Sequence, residues 1–223
     1  MFTRSLLLSV SVTLLTFASS GAARAGAVTA VPCAAKAKAV IANVGSSMHN
    51  SASTVQGDVQ AGTTIIKNGS AVITGTLTPN KPAGLAVVPP PAGATNLGNF
   101  VVSGTVTLAA GNYVAQSFNM NGGSTLRVTG GIAQIWVSGG VNLTGTANAG
   151  GDPTNLELLL SGNQGVNVNG GTNFTGFIYS PNGSVLVGGV VNGSVVGSST
   201  TLNSGGQVNF VSTAVCPAAP SGQ

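Results

Sequence analysis

Short apolar and polar alternations that end in glycine fill the chain after residue 100. The segments STLRVTGG, VNLTG, VNVNGG, SVLVGG and TTLNSGG each place apolar residues two apart and close on glycine. A period of two closed by a turn residue predicts a β-strand with one buried face. The expected inward pairs are Leu126/Val128, Val141/Leu143, Val166/Val168 and Val185/Val187, and the expected outward residues are Arg127, Asn142, Asn167 and Leu186.

The spacing of these segments resembles the coils of a solenoid. Counted from Leu126, Val141, Val166, Val185 and Leu202, their starts step by 15, 25, 19 and 17 residues. A stacked coil would lay each Val or Leu on its neighbour and place Gly and Asn in tight corners. A β-sandwich with glycine-rich turns is the alternative, but its strands do not require such similar endings.

The N-terminal third is organised differently. Residues 1–25 have Arg4, an apolar run and the cleavage pattern Ala23-Arg24-Ala25, which predict a secretory signal peptide. Residues 26–54 are predicted to form an N-terminal helix, over AAKAKAVIANV at 34–44, and a Ser/Asn-rich connector. The β-solenoid domain is predicted over 55–212, and residues 213–223 form a C-terminal tail.

A proline-rich segment interrupts the predicted domain. Residues 80–94, NKPAGLAVVPPPAGA, hold four prolines, and proline cannot donate to a β ladder. This segment is therefore predicted to be a loop between two β regions.

Charge is scarce, which changes the expected surface. Only 4% of residues are Asp, Glu, Lys or Arg, against about 25% in an ordinary soluble domain. Stacked identical charges would repel about 4.8 Å apart, whereas Asn, Ser and Thr can form hydrogen-bonded ladders. The five basic residues after the signal are scattered, so nucleic acid is not an expected partner. They are Lys36, Lys38, Lys67, Lys81 and Arg127.

Candidate catalytic residues are few. Asp58, Asp152 and Glu157 are the three carboxylates and His49 is the single histidine. A triad of Ser47, His49 and Asp58 is conceivable, but His49 is predicted to lie in a loop without a nucleophile elbow. Asp152 and Glu157 flank Pro153, so their side chains are expected to diverge, with Asp152 making a turn. No motif for a metal, phosphate or cofactor is present, and none is predicted.

Trp136 alternates out of phase with Ile135 and Val137. It is therefore expected either to face solvent, where it would bind a sugar ring or a partner strand, or to pack beneath the N-terminal helix or the proline-rich loop. The second arrangement is favoured because indole rings bury well.

Three ordered motifs resemble a known family. They are Ala110-Gly111-Asn112-Tyr113, the link from Gly151 to Leu156, and FTGFIYSPN from Phe174 to Asn182. Over about residues 55–212 the chain resembles the DUF7305 β-solenoid domain of bacterial pilus-assembly (PilX-like) and other exported proteins. It is similar, more loosely, to choice-of-anchor surface adhesins and ice-binding solenoids.

The resemblance implies an all-β fold, a right-handed parallel β-helix (solenoid), here with one short N-terminal helix. It implies a surface or pilus-associated role and carries over no catalytic residue. The first hypothesis is an exported, non-enzymatic structural or adhesive protein of the periplasm, cell surface or extracellular space. The alternative is a protein that binds an ordered surface, ice or polysaccharide, through Thr or Asn ladders. Candidate partners are other surface or pilus proteins and polysaccharide, and no transmembrane segment is predicted in the mature chain.

Cys33 and Cys216 are the only cysteines and lie near opposite ends of the mature chain. An even pair in an exported chain predicts one disulfide. Because a simple solenoid separates its termini, the bond requires the N-terminal segment to run back along the stack. Unpaired buried thiols and intermolecular bonds are the alternatives.

Overall fold

The computed structural model describes residues 33–211, and within this range nearly every element is a short parallel strand. One helical turn, α1 Cys33–Lys36, precedes the strands, and a 3-10 turn spans Pro153–Asn155. The strands in chain order are β1 Val40–Ala42, β2 Ser47–His49, β3 Thr54–Gln56, β4 Val59–Ala61, β5 Ile65–Lys67, β6 Val72–Ile73, β7 Leu77–Thr78, β8 Thr95–Val102, β9 Thr105–Met120, β10 Thr125–Val137, β11 Val141–Leu143, β12 Thr146–Ala147, β13 Leu156–Leu160, β14 Val166–Val168, β15 Asn173–Ser180, β16 Val185–Val187, β17 Val190–Gly197, β18 Thr200–Leu202 and β19 Gln207–Asn209. The predicted signal peptide, residues 1–25, and Cys216 lie outside the described residues.

The strands form a parallel β-solenoid of about eight turns with three sides, which confirms the predicted architecture. Long strands such as β9 turn corners and contribute to more than one side. Sheet A stacks the end of β8, the end of β9, β11, β14, β16, β18, β2 and β5. Sheet B stacks the starts of β9 and β10, β12, the starts of β15 and β17, β19, β3 and β6. Sheet C stacks the start of β8, the middle of β9, the end of β10, β13, the ends of β15 and β17, β1, β4 and β7.

The core lies inside the coils and consists of in-register aliphatic and aromatic side chains. Val141, Val166 and Val185 stack in one column of sheet A, and all three are at most 3% exposed. The predicted inward pairs are therefore confirmed, apart from Val128, which is half-buried. Folding removes the apolar surface of each such side chain from water, which is the main favourable contribution to stability.

The order of coils in space differs from their order in the chain. After β18 the next strand in sheet A is β2, after β19 the next strand in sheet B is β3, and after β17 the next strand in sheet C is β1. Residues 40–78 thus continue the stack where the C-terminal strands end. We call this block the N-terminal coils.

The proline-rich segment returns from the N-terminal coils to the opposite end along the outer face of sheet C. It is a loop without regular strand, as predicted. Three hydrogen bonds hold it there. The Leu85 amide donates to the Asn43 side-chain oxygen, the Tyr179 hydroxyl donates to the Ala86 carbonyl, and the Trp136 indole donates to the Val88 carbonyl at 3.0 Å. Trp136 is 1% exposed, which confirms its expected position beneath this loop. A second apolar cluster is sealed there, made by Ala35, Ile41, Leu85, Val88, Trp136, Leu159, Phe177, Tyr179 and Val196.

Two predictions for the N-terminal region were wrong. The helix predicted over 34–44 is a single turn that ends at Lys36, and Val40–Ala42 is a strand of the stack. The alanines of this segment favour a helix, but Val40 and Ile41 become fully buried when the segment forms a strand of sheet C. The predicted connector contains β2 and the start of β3, so the solenoid begins at residue 40 rather than 55.

None of the helices in the described part of the chain is long and apolar enough to cross a membrane.

Candidate functional site

The outer face of sheet A is open along the whole stack. Its central rank has one residue from each coil, held in register, and every member is exposed or half-buried. None of them is charged. This rank, which we call the A face, is Val101, Asn119, Asn142, Asn167, Leu186, Thr201, Met48 and Ile66.

Amides occupy the middle of the A face. Asn119, Asn142 and Asn167 lie on three successive coils, about 4.8 Å apart as in any parallel ladder. The Asn169 side chain donates to the Asn142 oxygen at 2.7 Å, which fixes that amide. Leu186, Met48 and Ile66 follow, so the A face combines amide and apolar groups without ions.

The outer face of sheet B carries a threonine rank. Thr105, Thr125 and Thr146 are in register on three successive coils. They are 20 and 21 residues apart in the chain, whereas the next two steps of the rank, to Asn173 and to Val190, are 27 and 17 residues. We call this rank, continued by Asn173, Val190, Gln207, Thr54 and Val72, the B face.

Beyond the threonines, the amides of sheet B bond to one another. The Asn192 side chain donates to the Asn173 oxygen at 3.1 Å, and Asn209 donates to Asn192 at 2.9 Å. Such a ladder satisfies its own polar groups, so it stabilises the stack and presents fewer free groups to a ligand.

The carboxylates do not converge. Asp152 caps the 3-10 turn by accepting from the Thr154 amide, which lowers the pKa of this exposed carboxyl. The Thr76 amide and then Lys38 lower the pKa of Asp58. Glu157 is 1% exposed and bonds Lys36 and Gln134. As expected, Asp152 and Glu157 point to different partners.

Glu157 borders a shallow cleft where the two ends of the described chain meet. Lys36 and Val211 line it, and the Lys36 ammonium lies 5.6 Å from the centre of the Phe177 ring. One carboxylate paired with one ammonium neutralises the site. The arrangement fixes α1 to the flank of sheet C and brings no second acid or base to the cleft.

His49 lies in a strand, contrary to its predicted loop position, and points into the core. Its Nε2 is 2.9 Å from the Ser47 hydroxyl, which also contacts Thr200. Both side chains are fully buried, so no substrate reaches them. Burial lowers the pKa of His49 to about 4. Asp58 bonds Lys38 and Thr76 instead, so the conceivable triad does not form.

No group of three or more His, Cys, Asp or Glu side chains with a metal-binding arrangement occurs within residues 33–211.

Comparisons with known proteins place this geometry in context. A search of curated proteins finds no match. Among solved structures, the chain is similar to an ice-binding protein from the Antarctic ascomycete Antarctomyces psychrotrophicus, with a TM-score of 0.55 and 18% identity. The similarity covers 82% of this chain and 98% of that one. At this identity the likeness shows a shared β-solenoid fold. Residues 114–213 match the family described as "Domain of unknown function (DUF7305)", the domain that the sequence motifs resemble.

Proposed function

We propose that this chain is an exported, non-enzymatic attachment protein that binds an extended uncharged surface, with polysaccharide the favoured partner class. The observation that carries the proposal is the A face, an open rank of eight uncharged side chains on a rigid stack. The outer face of sheet C, in contrast, is covered by the proline-rich segment and is not available to a partner.

The composition of the A face suits sugars. Amide groups donate to and accept from hydroxyls, and neighbouring apolar side chains contact the carbon faces of sugar rings. Because no ion must be desolvated, contact with a neutral polymer avoids the large cost of burying an unpaired charge. Eight coils spaced about 4.8 Å apart offer many weak contacts at once, which add up to firm attachment.

Charge substitutions on the two open faces test this proposal. Asn119→Lys with Asn167→Lys adds two cations, two coils apart, to the A face, and Gln56→Lys with Thr105→Lys adds two on separate coils of sheet B at exposed sites. We expect the exported protein to adsorb to insoluble cellulose or chitin. The A-face variant should lose at least tenfold in binding, and the sheet B variant should match the parent. Equal binding by both variants, or no adsorption, would exclude the A face as a polysaccharide site.

An ordered ice surface is the second candidate, favoured by the rank of Thr105, Thr125 and Thr146 and by the fold similarity to the ascomycete ice-binding protein. Three threonines span only about 10 Å of the stack, however. We therefore expect no inhibition of ice recrystallisation at micromolar concentration. Inhibition that Thr125→Lys abolishes would move the function to the B face.

The absence of catalysis is part of the proposal. Asp152 and Glu157 have separate structural partners, and Ser47 and His49 are sealed in the core. Turnover of any glycan that Asp152→Asn with Glu157→Gln abolishes would contradict it. Attachment to other surface or pilus proteins belongs to the same class of role.

A further inference from the structure

The stack has two ends, and each ends in strands that are paired on one side. At one end these are β5, β6 and β7, which we call the 65–78 end. At the other they are β8 and the start of β9, the 95–109 end. Such edges are templates for strands of another chain.

Exposed apolar side chains concentrate at these ends. Of the six large apolar residues that are strongly exposed within the described range, Ile66, Val72 and Leu77 lie at the 65–78 end and Val101 at the 95–109 end. Apolar surface at both ends of a stack is what docking between two copies would cover.

The register shows which residues would meet if a second copy continued the stack. The columns of sheet A place Ile65 in line with Phe100 and Ile66 in line with Val101. The columns of sheet B place Ile73 in line with Val106. These three pairs match in apolar type, whereas Val72 is in line with Thr105 and Leu77 with Thr95.

Lys67 is the one charged residue in the edge strands of the two ends. Its column contains His49, Leu202 and Val187 on the following coils and ends at Val102. In a continued stack the Lys67 ammonium would therefore face Val102. The sequence from Pro82 to Leu126 has no Asp or Glu, so the 95–109 end offers no partner for that charge.

We propose that Lys67 prevents the 65–78 end from docking on the 95–109 end of a second copy and so keeps the protein from polymerising head to tail. An inward-pointing charge at a sheet edge blocks pairing because association would bury it without a counter-ion. This inference goes beyond the proposed attachment function, since it concerns the association of two copies through the ends of the stack.

Replacing Lys67 tests the proposal on the full exported protein. Lys67 is exposed, so Lys67→Leu leaves the fold intact, and Lys67→Arg keeps the charge as a matched control. Light scattering coupled to size exclusion should show monomers for the parent and for Lys67→Arg. Lys67→Leu should form concentration-dependent oligomers, with association strengthened about a hundredfold or more.

A second substitution identifies the surface involved. Val101→Lys places a charge opposite Ile66 at the other end, so Lys67→Leu with Val101→Lys should return to a monomer. Circular dichroism would show that each variant is folded. The proposal is overturned if folded Lys67→Leu stays monomeric at high micromolar concentration, if the parent already forms oligomers, or if the double variant remains oligomeric.

Discussion

Single residues at the corners between sheets A and B set the backbone geometry of the coil. The turn begins at an asparagine, and the amide three residues later bonds its carbonyl, as in Ser53 to Asn50 at 3.0 Å and Ser124 to Asn121 at 3.0 Å. The third residue has a positive φ, a conformation that costs a residue with a side chain about 1–2 kcal/mol. The repeated glycines of the sequence serve these corners.

Ala52 occupies this third position with φ 63°, whereas Gly123 occupies it with φ 75°. Nothing lies within 4 Å of a methyl group added to Gly123, so only conformation is at stake. Ala52→Gly should raise the free energy of unfolding by about 0.5–1 kcal/mol, and Gly123→Ala should lower it by about 1 kcal/mol. Urea unfolding of both variants measures this, and a loss of stability in Ala52→Gly would contradict the corner assignment.

His49 makes stability depend on pH. Burial lowers its pKa from 6.5 to about 4, so the unfolded chain binds a proton that the folded chain does not. Stability is full above pH 6.5 and falls as the pH drops towards 4, by about 3 kcal/mol in total.

The control for this titration is His49→Leu, which places a leucine beside Leu202 on the adjacent coil. Unfolding at pH 7, 5.5 and 4.5 should show a slope in the parent and little slope in the variant. The pKa values of Asp58 and Asp152 in the folded protein lie below 3.8, so these carboxyls titrate below the pH range of this measurement. A slope retained by His49→Leu would assign it to another group.

At the scale of elements, regular apolar alternation was sufficient to predict β11, β14 and β16, because their inward residues are all Val or Leu. It failed for β2, whose inward residues Ser47 and His49 are polar and bond each other inside the core. It also did not identify the rank of Thr105, Thr125 and Thr146, because apolar alternation marks inward residues and these threonines lie on the outer face. The alignment of residues between successive coils depends on the folded coil, and the local spacing of residues in the sequence does not determine it.

Asn43 shows a similar limit and yields a prediction for the proline-rich segment. Its buried amide bonds the backbone of Leu85 twice and the Pro181 carbonyl once. Asn43→Ala should cost about 2–3 kcal/mol, because buried backbone groups lose their partners. It should also speed proteolysis within residues 79–94. Asn50→Ala, which removes an exposed corner amide, is the control and should change stability by less than about 0.5 kcal/mol. If Asn43→Ala leaves the rate of cleavage unchanged, other contacts hold the proline-rich segment in place.

At the scale of the whole molecule, the N-terminal coils follow the C-terminal strands in space without a peptide connection between them. Val40 stacks on Val195, and Lys36 lines the same cleft as Val211. The chain therefore has an internal junction where its two terminal segments meet on one flank of sheet C. This arrangement was not predicted, although the disulfide hypothesis required the N-terminal segment to return towards the C-terminus.

The disulfide between Cys33 and Cys216 remains a prediction. Cys216 follows Val211 by five residues, which span up to about 17 Å, and Val211 lines the same cleft as Lys36 at the end of α1. Closing so long a loop contributes about 5 kcal/mol in the chain-entropy model. Mass spectrometry of the non-reduced exported protein should find the two terminal peptides joined in a monomer two protons lighter. Two alkylatable thiols, or chains linked to one another, would refute the intramolecular bond.

The junction also orders events in time. β1, β2 and β3 are synthesised first, yet their partners β17, β18 and β19 are synthesised last. At 5–20 residues per second, the interval from residue 78 to residue 209 lasts roughly 7–26 s. We expect a chain truncated after residue 184 to leave residues 40–78 sensitive to protease, and protection of that block in the truncated chain would contradict this. The earliest coils of the newborn chain therefore lack their stacking partners until its final strands have been synthesised.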